Sequence, residues 1–137
     1  MTALPHIPVL ILDEGPATSL DALATALAVF GRGLFALGYA DHPSALWEMA
    51  DELAAGGTAA VIVVDVDRHP EPKAFLAEVA ETGFPVVVVS DGRNEAIHDH
   101  ALSVGAAAYL PTSLPAREMV SLLATLPRRP EVSTGWR

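Results

Sequence analysis

Five runs of apolar, largely β-branched residues recur along the chain, at residues 8–12, 34–39, 59–64, 85–89 and 107–110, and each is followed by apolar positions at helical spacing. The third and fourth runs, AAVIVV and PVVVV, offer no polar side chain to water, so they read as central strands buried on both faces. This alternation predicts an α/β domain: a doubly wound, five-stranded parallel sheet with helices on both faces. The second run is the weakest strand, because LFALGY contains Gly38 and little β-branching.

The first helix should begin at Thr18 or Ser19, where a hydroxyl can cap it, and carry Leu20, Leu23, Ala24 and Leu27 as its stripe until Gly31 and Gly33 end it. A second opens at Asp41 or His42 with Pro43 in its first turn, carries Leu46, Met49, Ala50 and Leu53, and stops at Gly56 and Gly57. Further helices are predicted over about 72–82, 94–104 and 115–126. Residues 127–137, PRRPEVSTGWR, hold two prolines, three arginines against one glutamate and no apolar period, so the domain is expected over 1–126 with a tail or linker start behind it.

With 137 residues, 51% hydrophobic and 18% charged, the chain can bury one sizeable core. A formal net charge of -9 leaves no basic stripe for a duplex, which disfavours direct nucleic-acid binding by this chain. There is no cysteine, and so no disulfide, thiol chemistry or cysteine-held metal. MTALPHIPVLIL lacks a basic leader, and its apolar run stops at Asp13, too short for a signal peptide or a membrane span; the expectation is a soluble, cytoplasmic protein.

Functional loops of a doubly wound sheet lie beyond the carboxyl ends of its strands. There the chain places Asp13 and Glu14 after the first run, Asp65 and then Asp67 after the third, and Ser90 followed by Asp91 after the fourth. Carboxylates gathered on one rim raise each other's pKa unless a cation neutralises them, and oxygen-only ligands suit a hard divalent ion such as Mg²⁺. The plainer alternative is that acidic residues after strands simply cap the next helices.

The motifs VLILDEG, AAVIVVDV, PVVVVSD and GAAAYLPTSL, in this order, resemble the receiver domain of bacterial response regulators over roughly residues 7–126. That resemblance implies a flavodoxin-like sheet in the order 2-1-3-4-5, Mg²⁺ as cofactor, and a phosphorelay signalling domain that is a phosphoacceptor at most and not an enzyme. It matches Asp65 to the phosphoacceptor, Asp13 and Glu14 to the acidic pair that holds the metal with Asp65, and the main-chain carbonyl of Asp67 to a further ligand. Ser90 matches the hydroxyl residue that bonds the phosphoryl group, and Tyr109 the aromatic that swings inward with it. The implied partners are a histidine kinase or another signalling protein. A homodimer is expected through the helix near 94–104, the strand at 107–110 and the helix near 115–126, with Ala101, Met119, Leu122 and Leu123 on that face. GAAAYLPTSL is also similar to the form found in receivers attached to helix-turn-helix DNA-binding domains.

Two positions depart from the pattern. Thr112 stands where the family has a lysine, and losing such a charge beside a phosphoryl group costs on the order of a hundredfold or more in rate. Asp91 stands where the family has a small neutral residue, and its carboxylate repels an anionic donor. Together they define the alternative function: a pseudo-receiver that works without phosphorylation. The remaining candidates have plain readings. His98, Asp99 and His100 are spaced for different sides of a helix and read as a solvated face. Trp47 reads as a surface or half-buried packing residue, and no nucleotide or flavin loop follows the first strand.

Overall fold

The computed structural model describes residues 7–12, 25, 27–30, 34–65, 71–90, 95–103, 106–111 and 115–126. Along the chain they form β1 (Ile7–Leu12), β2 (Phe35–Ala40), α1 (Pro43–Ala55), β3 (Val61–Asp65), α2 (Pro72–Ala80), β4 (Val86–Ser90), α3 (Glu95–Ser103), β5 (Ala108–Pro111) and α4 (Ala116–Thr125). All four strand pairings are parallel and the order is β2-β1-β3-β4-β5. The sheet order implied by the sequence motifs is therefore the one found.

Period two along the strands splits the core into two layers. Leu10, Leu12, Ile62, Val64, Val86 and Val88 pack under α1, α2 and α3, which contribute Leu46 and Ala50, then Phe75, Leu76 and Val79, then Ala101. Val9, Ile11, Val61, Val63, Val87 and Val89 face the other way, against Met119, Val120 and Leu123 of α4 and against Leu27 of the helical residues 27–30. The start of the first predicted helix, with its terminal glycines Gly31 and Gly33, lies outside the described residues, as does the segment 127–137.

Local chemistry explains the helix boundaries. His42 is the N-cap of α1: its backbone is extended, its Nδ1 accepts from the Ala45 N–H at 3.3 Å, and Pro43 follows with no N–H to waste. Beyond the other end, Gly57 has a φ of 67°, a conformation that a side chain would strain. At the end of α2, the Thr82 hydroxyl donates to the Val79 carbonyl at 2.8 Å and Gly83, with a φ of 81°, turns the chain into β4.

β2 forms despite its weak composition because it pairs with β1 along its whole length. Gly38 has a packing role there: a Cβ at that position would lie 2.6 Å from Met49 Cε and 3.2 Å from Leu10 Cδ2, so its absence lets α1 settle onto the sheet.

Every strand after β1 sits about one residue later than the apolar runs predict. The ladder is made by backbone groups and does not stop at a polar side chain, so Asp65 and Ser90 belong to the strands and not to the loops beyond them. Of the residues named for the expected dimer face, Ala101, Met119 and Leu123 are buried in the core layers and Leu122 is half-buried, because the apolar stripes of α3 and α4 help to build the core. Among the described side chains of α3, Leu102 is a large apolar one left substantially exposed, at 49%.

Candidate functional site

Two of the polar residues singled out in the sequence come together at the carboxyl end of the central strands. Asp65 closes β3, is half-buried, and lies opposite Val89 of β4. Ser90 is the next residue of β4, its last, and is fully buried with Pro111 of β5 as its partner in the ladder. Both positions follow from valine runs that the protein buries on two faces: the runs anchor the strands, and the first polar residue after each closes its strand. The hydroxyl and the carboxylate thus close neighbouring strands one residue apart in register.

Tyr109 stands on β5 opposite Val88, two residues before Ser90. It is half-buried, packs against the layer that includes Val86 and Val88, and its hydroxyl is shielded from solvent. Period two in β4 places Ser90 on that same face.

On the other side of β3, Leu12 is paired with Val64, the residue before Asp65. The next residues of the chain after Leu12 are Asp13 and Glu14, which, like Asp67, Asp91 and Thr112, lie outside the described residues. Among the described residues, no group of three or more His, Asp or Glu side chains is placed to hold a metal ion. Asp65 is thus the member of the expected metal set whose position is defined, and as a hard oxygen donor on the rim it suits a divalent ion.

No protein-family model matches the sequence, and neither does any curated protein. Solved structures do match. The signal receiver domain of NarL from Mycobacterium tuberculosis is 22% identical, with 85% of this chain and 92% of that one aligned at a TM-score of 0.62. The chemotaxis protein CheY4 of Vibrio cholerae aligns over 89% of this chain and 99% of its own, at 13% identity and a TM-score of 0.66. A Burkholderia pseudomallei response regulator, whose structure contains a phosphorylated aspartic acid, a calcium ion and citrate, aligns over 87% of this chain and 67% of its own, at 18% identity and a TM-score of 0.63. The fold is that of a receiver domain.

Within this receiver fold, the other features singled out in the sequence fall away from the strand ends. Trp47 is half-buried on α1, its ring centroid 6.4 Å from that of buried Phe75 at an angle of 37°. Asp51, Glu78, Glu81 and Thr82 join Trp47 around an open cleft of about 460 Å³ between α1 and α2. Asp99 is exposed, as the solvated-face reading expects, whereas His100 is half-buried and reaches the carbonyl of Lys73 at 3.2 Å. That contact spans 27 residues, so no local spacing in the sequence could announce it. Among the described residues no helix of the receiver fold is long and apolar enough to cross a membrane.

Proposed function

We propose that the chain is a response-regulator receiver domain in which Asp65 accepts a phosphoryl group and the output is contact with a partner protein. One observation carries this reading: Asp65 and buried Ser90 close adjacent central strands of a receiver fold, with Tyr109 on β5 next to the strand of Ser90. The phosphorylated aspartic acid in the Burkholderia pseudomallei regulator supports it as an analogy of fold.

In this reading an oxygen of the Asp65 carboxylate attacks the phosphorus of a phosphohistidine on a histidine kinase. The P–N bond breaks, its electron pair leaves with the imidazole, which takes up a proton, and an acyl phosphate remains on Asp65. The Ser90 hydroxyl donates to a phosphoryl oxygen, and the pull on the end of β4 reaches the Tyr109 ring on the same face. Mg²⁺, held by Asp13, Glu14, Asp65 and the Asp67 carbonyl, would supply the positive charge that the rim lacks. Among the described residues, a homodimer through α3, β5 and α4 would draw on Leu102 and Leu122, since Ala101, Met119 and Leu123 are buried in the core.

A second reading rests on two residues of the sequence. Thr112 where the family pattern has a lysine, and Asp91 where it has a small neutral residue, both leave the site more negative than that pattern, which favours a pseudo-receiver switched by a partner or ligand. Intact-mass measurement after incubation with a small acyl phosphate and Mg²⁺ separates the readings. Gain of one phosphoryl group on wild type, absent from Asp65→Asn, supports the first. No gain on wild type, with gain on Asp91→Ala/Thr112→Lys, supports the second, and no gain on either sinks Asp65 as an acceptor.

A further inference from the structure

Resting on the receiver reading, we propose that His100 is a positioning residue that ties together the two helices leaving the two site strands. β3 ends in Asp65 and leads into α2; β4 ends in Ser90 and leads into α3. Lys73 is the second residue of α2, and its carbonyl oxygen lies 3.2 Å from Nε2 of His100 on α3. A carbonyl can only accept, so Nε2 carries the hydrogen and donates it.

Packing makes the bond sensitive to helix position. Ala101, next to His100, is fully buried in the layer that holds Phe75, Leu76 and Val79 of α2. A methyl group there lets α3 sit close to α2 and leaves His100 at the margin of the contact, half-buried and within reach of the first turn of α2. A movement at the Ser90 end of β4 that shifts α3 alone must stretch this bond, whereas one that carries α2 along preserves it. One part-exposed hydrogen bond changes a two-state population only a few-fold, which suits a bias on a switch better than a lock. His100 therefore sets how readily the segment behind Ser90 moves independently of the segment behind Asp65.

Amide hydrogen exchange and a beryllofluoride–Mg²⁺ titration followed by NMR, both on the full chain, test this. In His100→Ala the α3 amides should exchange about five-fold faster, as expected for loss of one such bond, with β1 and β3 unchanged. His100→Gln, whose amide nitrogen can take the place of Nε2 as donor, should restore the wild-type rates. Unchanged α3 exchange in His100→Ala, or a glutamine variant that behaves like the alanine one, overturns the tie. In the titration, His100→Ala should reach half-saturation at a concentration a few-fold lower than wild type or His100→Gln; equal midpoints overturn its role in the switch. A wild type that does not respond to beryllofluoride counts against the phosphoacceptor reading and removes the switch role with it, while the exchange rates still decide whether the tie exists.

Discussion

Asp65 lies opposite Val89, the residue immediately before Ser90, so the carboxylate and the buried hydroxyl close neighbouring parallel strands one step of register apart. Such a pair is held by backbone ladders on both sides, β1 and β4 around β3, and β3 and β5 around β4. Near-isosteric substitutions, such as Asp65→Asn, are the ones that test chemistry there without disturbing the packing around buried Ser90.

Charge at this pocket should control phosphoryl transfer. Asp91→Ala with Thr112→Lys removes one negative charge and adds one positive where the incoming donor is itself anionic. Labelling by an acyl phosphate should then be faster than in wild type by on the order of a hundredfold or more. Adding Asp65→Asn should abolish it, because an amide cannot form the acyl phosphate. The time course of intact mass checks both statements, and equal rates in wild type and double variant would leave Thr112 and Asp91 without the role assigned to them.

Divalent ions should stabilise the native chain. Binding to the folded state alone contributes RT ln(1 + [L]/Kd), about 2.7 kcal/mol at one hundred times Kd. Thermal unfolding should move upward with millimolar Mg²⁺ in wild type and stay put in Asp13→Asn. If the wild-type Tm is indifferent to Mg²⁺, the metal set of Asp13, Glu14, Asp65 and Asp67 is wrong.

The cap of α1 gives a purely structural test. His42 Nδ1 lies 2.6 Å from the Ser44 Oγ and accepts from the Ala45 N–H, while Nε2 faces the Asp41 carboxylate at 3.5 Å. His42→Ala should lower stability by about 1 kcal/mol, and His42→Ser or His42→Asp should recover most of that loss. Urea unfolding midpoints decide it; an alanine variant as stable as wild type would mean that Pro43 alone suffices to start the helix.

Gly38 tests the packing of α1 on the sheet. Gly38→Val pushes carbon into Met49 Cε and Leu10 Cδ2 and should cost about 1–3 kcal/mol. Met49→Ala clears the nearer contact, so the double variant should lose less than the sum of the two single losses. Strict additivity in urea unfolding would show that Met49 does not set the limit.

What the sequence by itself determined is what repeats locally. The runs 59–64 and 85–89 have no polar member, so they read as central parallel strands, and Asp65 and Ser90 were legible as the polar residues at their ends. The strand order was legible through the motifs shared with receivers, not through the runs, since no strand carries a mark of its neighbour. Boundaries slipped by a residue because apolarity belongs to side chains and the ladder to the backbone. Tertiary structure alone decided that Met119, Leu123 and Ala101 are buried in the core, that Gly38 makes room for Met49, and that His100 meets Lys73. Each of these joins elements whose sequence separation exceeds any helical or strand period, and such contacts exist only once the sheet has ordered its strands and the helices have settled on its two faces.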